Sequence, residues 1–286
     1  MCCVQALTHR PILSDESLTQ RSTIIKTSLI GHTGFVGSTL VRQTSFSHCY
    51  NSKNFGDMRG QHFDSVVCAG VSSLKWVANQ DPQADWAQIQ ELIDVLATIQ
   101  TNRIVLISTV DVYPVDLLKA DEGAQLTDSD KIIPYGKNRL RLEQWVASYF
   151  VDHCIVRLPG LFGAGLRKNP LYDLIHNNGI EKINPASVLQ WYPMHRLWQD
   201  MEIARKAGLQ SINLFTQPVS MRELIAQQFP GAEVGPESIP APTYDFCTRH
   251  ADLFGGNKGY IMDSVRVLEE IKTFVDAEKG VALKSA

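Results

Sequence analysis

The stretch from Ser28 to Leu40, SLIGHTGFVGSTL, decides the reading of this chain. An apolar strand feeds three glycines, Gly31, Gly34 and Gly37, spaced GxxGxxG, and a helix then begins. Glycines placed this way let backbone amides and a helix N-terminus meet a pyrophosphate, so the segment, with Thr33, Phe35 and Val36 between the glycines, predicts a dinucleotide site. Three glycines at these gaps also occur in turns that hold no ligand, so the surrounding pattern has to carry the argument.

That pattern is strand then helix, repeated. The strand from Ile24 to Leu29 is followed by a helix from Val36 to Ser45, strands at 47 to 51 and 64 to 69, a helix from Asp85 to Ile99 and a strand from Arg103 to Ile107. A helix from Tyr135 to Phe150 and a strand from His153 to Leu158 complete the first pass. Such alternation predicts an α/β fold of Rossmann type, a doubly wound parallel sheet covered on both faces. The 12 residues from Ser52 to Phe63 are short for a helix plus a strand, which implies one βα unit fewer. Past Arg157 the pattern turns irregular, with helical stretches at Leu171 to His176, Leu197 to Ala207, Met221 to Gln228 and Ser264 to Ala277. The expected organisation is a loose extension over residues 1–23, a dinucleotide-binding domain over 24–165, and over 166–286 mainly a smaller substrate lobe, some of whose elements return to the sheet. Loops of that lobe would lie over the sheet's carboxyl edge, where ligands of such sheets bind.

Composition narrows the function. A chain of 286 residues with 44% hydrophobic content can bury a large core, and a net charge of −3 offers no electrostatic case for nucleic acid. No apolar run is long enough to span a bilayer and no apolar signal region opens the chain, so a cytoplasmic location without membrane contact is expected. The six cysteines show no metal-ligand spacing, and Cys68 and Cys154 fall in apolar strands as buried thiols. Neither they nor His195 supports a metal site.

Five motifs, GHTGFVG at 31–37, VVCAG at 66–70, LISTVDVY at 106–113, YGKNRLRLEQ at 135–144 and VRLPGLFGAG at 156–165, run in an order that resembles the extended short-chain dehydrogenases/reductases, the NAD-dependent epimerase/dehydratase group. The resemblance covers residues 25 to 165 well and the remainder loosely. It implies an enzyme that oxidises or reduces a sugar carbon on a nucleotide-linked sugar, as a net reductase or as an epimerase. It also implies a homodimer through the helices at 85–99 and 135–150, although a monomer fits the sequence equally.

Hydride transfer at a carbon bearing a hydroxyl needs a group to move the oxygen's proton, and a tyrosine does this when a nearby cation favours its phenolate. The resemblance places Thr109 as the hydroxyl that orients the substrate oxygen and Tyr135 as the acid/base. Where the family has lysine four residues after the tyrosine, this chain has Arg139. One helical turn apart, the two side chains face the same way and the guanidinium can still act on the phenol, but a planar fork does not copy an ammonium's reach. The resemblance therefore predicts that Arg139→Lys preserves or raises turnover. Lys75, after VVCAG, is a second candidate cation. Family dehydratases carry an Asp-Glu pair after the Ser/Thr, whereas Thr109 is followed by Val110 and Asp111. The alternatives to catalysis are a non-catalytic NAD(P)- or nucleotide-sugar-binding protein, and a scaffold that keeps the fold without a ligand.

The cofactor is NADP or NAD. Asn51-Ser52-Lys53, at the end of the second strand, is neutral and cationic where NAD binders carry an acidic residue, which favours NADP. The resemblance adds Cys68, Ala69 and Gly70 along the cofactor and Leu158, Pro159 and Gly160 at the nicotinamide. For the substrate, the loop GAGLRKN offers Arg167, Lys168 and Asn169 to a diphosphate. Gln190, Trp191, Tyr192 and Arg196 form a second cluster, where aromatic faces can stack on a base or sugar or can pack the lobe against the sheet. Thr248, Arg249 and His250, late in the chain, are polar residues that could close over the substrate.

Overall fold

The structure, a computed structural model, describes residues 25–285, with side chains described to residue 280. The expected extension over 1–23 and the pair Cys2 and Cys3 lie outside the described residues.

Six parallel strands form the central sheet: β1 (Thr27–Ile30), β2 (His48–Tyr50), β3 (Ser65–Cys68), β4 (Ile104–Thr109), β5 (His153–Leu158) and β6 (Ser211–Asn213). Their spatial order is β2-β1-β3-β4-β5-β6. The order reverses between β1 and β3, and this switch point opens a crevice at the carboxyl ends of the two strands, directly above Gly31. Between β2 and β3 the chain makes only a single 3₁₀ turn, Phe55–Met58, and a two-residue strand, His62–Phe63, so no complete βα unit fits there. Beyond residue 165 the chain returns to the sheet as β6, which pairs with β5 through Ile212 and Val156.

Alternating strand residues feed two cores, which is why these strands read as apolar runs. Leu29, Val67, Val105 and Val156 pack with α1 (Phe35–Gln43), α6 (Leu197–Lys206), α7 (Met221–Gln228) and α8 (Ser264–Ser285). Ile30, Val66, Cys68, Ile104 and Leu106 pack on the opposite face with α3 (Pro82–Leu96) and α4 (Pro134–Tyr149). Asp81 starts α3 by accepting the Ala84 amide at 3.0 Å, with Pro82 in the first turn where its missing N–H costs nothing. The helix expected from Asp85 therefore begins earlier. It is preceded by an unexpected short one, α2 (Lys75–Gln80). The fifth helix in chain order, the short α5 (Pro170–His176), follows the loop over Gly163–Asn169.

The expected buried thiols, Cys68 and Cys154, are both inside. No helix among the described residues is long and apolar enough to cross a membrane.

Candidate functional site

The glycine loop is a cradle made of backbone. Gly31 sits at φ +88°, and a Cβ on it would lie 2.2 Å from the Ala69 carbonyl oxygen. A Cβ on Gly37 would lie 2.1 Å from the carbonyl oxygen of Gly31, so the loop and α1 touch without side chains. Gly34 precedes α1, and no side chain caps the helix, which leaves first-turn amides for an anion. Along this groove lie Thr33, Asn51, Ser52, Phe55, Ala69 and Gly70. Lys53 is exposed and bonds the Asn51 side chain only through its backbone amide, at 2.9 Å. Glu91 and Gln88, from α3, were not expected and also line the groove.

The groove runs without a break into a second cleft, since Ala69, Val71, Ser72 and Ser73 line both. Val36, Leu158, Pro159, Thr109, Asp111, Tyr135 and Arg139 also line the second cleft. The structure thus brings all three expected catalytic residues together, with the glycine cradle at one end and Tyr135 at the other. Cys68 is fully buried at the end of β3, so any contact from it is made through its backbone. Gly160 turns away: its amide bonds the Gln190 carbonyl at 3.0 Å, in a strand paired with Trp191–Pro193.

Helix α4 approaches the turn after β4 very closely. A Cβ on Gly136 would lie 1.8 Å from the Asp111 carbonyl oxygen, so only glycine lets Tyr135 and Thr109 share the cleft. A buried network holds α4 there. Glu143 accepts Arg157 Nη2 at 2.7 Å and the Ser108 hydroxyl, and Arg157 Nη1 reaches the Tyr113 hydroxyl at 2.8 Å. Burial works against the Arg157 charge, but Glu143 outweighs it and raises the guanidinium's pKa further. The Tyr135 amide is held by Asn79 Oδ1 at 3.0 Å.

Arg139 lies across the Tyr135 ring, its guanidinium carbon 3.8 Å from the ring centre. Its fork is bidentate on Asp85, with Nη2 to Oδ1 at 2.9 Å and Nη1 on Oδ2. The same nitrogens reach the Ser72 carbonyl at 2.6 Å and the Tyr135 carbonyl at 3.2 Å. Both members of the pair are buried, at 4% and 7% exposure of their side chains. Burial pushes the Tyr135 phenol above its ordinary range, Arg139 pulls it back, and Asp111 pushes it up again.

Lys75 stands on the other side of the cleft mouth. Its Nζ contacts Asp111 Oδ1 at 2.7 Å and the Tyr244 hydroxyl at 2.9 Å, and Tyr244 also donates to Asp111 at 2.9 Å. Burial opposes the ammonium, but Asp111 and Tyr244 hold its pKa up. The Thr109 hydroxyl donates to the other oxygen of Asp111 at 3.1 Å. Asp111 is therefore a shared acceptor, partnered only by the fold.

The substrate candidates separate. Lys168 reaches across the mouth to the Ser73 carbonyl at 2.6 Å, with no carboxylate partner among the described residues, and burial pushes its ammonium pKa down. Arg167 is exposed in the same loop. Asn169 instead caps α5, accepting the Tyr172 amide at 3.0 Å and donating to the Leu161 carbonyl at 2.8 Å. The cluster around Trp191 is interior. Gln190, Trp191 and Tyr192 are each at most 1% exposed. Gln190 is spent on backbone groups of Thr216 and Phe246, and Tyr192 and Arg196 are spent on Asp200. The expectation of a stacking surface there is corrected: Trp191 and Tyr192 pack in one core with sheet residues and offer no face to a ligand, and Gln190 is buried beside them. Thr248 and Arg249 are held by Glu122 and Asp121.

Asp85, Ser72 and Tyr244 are the main residues that sequence reasoning missed. No local motif marks Asp85; its partner lies 54 positions away and is brought to it by the packing of α3 on α4.

No protein-family model matches the chain, and no curated protein matches it in sequence. Its fold, however, is shared with many solved structures. Among them is UDP-glucose 4-epimerase from Thermotoga maritima with UDP-glucose, with a TM-score of 0.69 and 13% identity over 90% of this chain and 99% of that one. Another is a dTDP-4-dehydrorhamnose reductase from Clostridium acetobutylicum, with a TM-score of 0.67 and 14% identity over 88% and 99%. A third is UDP-glucuronic acid 4-epimerase from Bacillus cereus with NAD and a fluorinated UDP-sugar, with a TM-score of 0.66 and 14% identity over 89% and 99%. The six-stranded parallel sheet and its Rossmann-type winding are common to this chain and these structures.

Proposed function

We propose that the chain is an NAD(P)-dependent oxidoreductase or epimerase acting on a sugar carbon of a nucleotide-linked sugar. The observation that carries this reading is the unbroken groove from the Gly31–Gly37 cradle to Tyr135 and Thr109. The cradle fits a pyrophosphate because side chains are sterically barred from it and first-turn amides of α1 face it. A nicotinamide cofactor, when bound, exchanges hydride with the sugar carbon. The solved structures of like fold, named for enzymes of nucleotide sugars, support the same substrate class.

Tyr135 carries the proton. With its phenol held above the ordinary range, it is neutral at pH 7 and suited to protonate the oxygen of a sugar carbonyl as that carbonyl is reduced. Thr109, whose hydroxyl hydrogen points to Asp111 here, orients the substrate oxygen by accepting from the hydroxyl of the alcohol form through its remaining lone pair and by turning its hydrogen from Asp111 to the carbonyl form. Arg139 stabilises the phenolate that forms, and Lys75 pairs with Asp111 at 2.7 Å beside it. Lys168, with Arg167, meets the diphosphate at the mouth. The neutral Asn51 and Ser52 together with the exposed Lys53 suit a 2′-phosphate, so NADP is the favoured form, although the solved complexes of like fold hold NAD.

A second reading is favoured by one observation: the fork of Arg139 is committed to Asp85 and Ser72, which suits a protein that binds dinucleotide without turning over. Nicotinamide absorbance, followed while UDP- and dTDP-linked hexoses and their keto forms are offered, separates the two. The enzyme reading expects turnover that Tyr135→Phe lowers about 10²-fold or more, with dinucleotide binding unchanged. A dinucleotide-binding protein inert toward every such sugar would favour the second reading.

A further inference from the structure

We infer that Asp85 and Arg139 act as one positioning unit: the buried pair fixes the Ser72–Ser73 wall of the dinucleotide groove and the Tyr135 ring together, so arginine at position 139 is a requirement of this site. The inference rests on the dinucleotide reading of the groove.

Three contacts of Arg139 converge. Its fork is set by both oxygens of Asp85, its Nη2 then meets the Ser72 carbonyl at 2.6 Å, and its guanidinium carbon lies 3.8 Å from the centre of the Tyr135 ring. Asp85 is itself held, since Asn138 Nδ2 donates to it at 2.8 Å while also bonding the Pro82 carbonyl at 2.9 Å. Asn138 and Arg139 are neighbours on α4, so α4 grips the start of α3 and the wall loop at once. Residues 72 and 73 are the stretch shared by the groove and the cleft. Their outer side is tied by Lys168 to the Ser73 carbonyl and their far end by Lys75 to Asp111. Arg139 is the only one of these three cations to reach the wall from the protein interior, where its charge is matched by Asp85.

A lysine at position 139 has a single nitrogen and no plane. It can pair with Asp85, but it cannot be bidentate there, bond the Ser72 carbonyl and stack on Tyr135 in one geometry. The inference therefore reverses the expectation drawn from the family: Arg139→Lys loosens the wall where the family pattern would have it restore function.

The test is fluorescence titration of the full chain with NADH, or with NADPH in its place where the unaltered protein binds that tighter, and competition by ADP, for the unaltered protein, for Arg139→Lys and for the double variant Asp85→Leu with Arg139→Met. The lysine variant keeps the buried charge paired. The double variant removes both charges and replaces them with apolar side chains, which buried pairs commonly tolerate. In both variants NADH affinity is expected to fall about tenfold or more, while ADP, held at the glycine cradle, changes by about twofold or less. A thermal melt shows that each variant is folded. A merely structural pair would lower the melting temperature without separating NADH from ADP. NADH binding unchanged in folded variants, or NADH and ADP weakened alike, would overturn the inference. Failure of the unaltered protein to bind NADH, NADPH and ADP alike would overturn the dinucleotide reading, and this inference with it.

Discussion

The two ends of the groove are built from different materials. At the glycine end the surface is backbone: Gly31 and Gly37 meet with no room for a Cβ, and α1 begins without a side-chain cap. At the tyrosine end it is made of side chains held by ion pairs, two of them buried, Arg139 on Asp85 and Arg157 on Glu143, and one at the cleft mouth, Lys75 on Asp111. The first depends on what is left out of the sequence and the second on partners far along it. A backbone site tolerates no added atom, whereas a side-chain site tolerates changes that keep its pairs matched and fails when one partner is removed.

The largest expected effect is at the tyrosine end. Glu143→Ala leaves Arg157 buried without its carboxylate, and a broken buried pair of this kind costs about 3–5 kcal/mol of stability. Denaturant unfolding reads it, and a loss under 1 kcal/mol would break the contrast. Next is Gly37→Ala, where the added methyl must displace the Gly31 carbonyl. Overpacking there costs about 1–3 kcal/mol and removes binding of NADH and NADPH alike, while leaving the phenol environment of Tyr135 unchanged. Asp81→Ala, which removes the cap of the helix that carries Asp85, costs about 1 kcal/mol, seen as a lowered unfolding midpoint. The smallest effect is spectroscopic. Phenolate absorbance of the ligand-free protein minus that of Tyr135→Phe should show Tyr135 ionising above its ordinary pH range, because burial disfavours the charged form. In the double variant lacking Asp85 and Arg139 the midpoint should rise further, since the guanidinium lowers the phenol pKa more than Asp85 raises it.

The same contrast explains what was legible in the sequence. The strand-glycine-helix run at 28–40 carries its own geometry, because sterics between neighbouring residues dictate it, and the parallel sheet follows from period and length. Thr109, Tyr135 and Arg139 were singled out by the family resemblance, whose motifs are local in sequence, and α4 and β4 bring them together. Asp85 and Ser72 could not be found this way, since only the packing of α3 against α4 makes them partners of Arg139. The cluster at Gln190–Tyr192 shows the opposite limit. An aromatic pair beside polar residues has one composition whether it faces a ligand or the interior, and only the parallel pairing of Gly160–Phe162 with Trp191–Pro193 assigns it inward.

The most direct test of the account is titration of the purified full chain, freed of any retained nucleotide, with NADH and separately with NADPH. The account predicts saturable binding of at least one, lost in Gly37→Ala, with NADPH the tighter if Lys53 meets a 2′-phosphate. Binding of neither to a folded protein would contradict it, and would leave the groove as a feature of the fold alone.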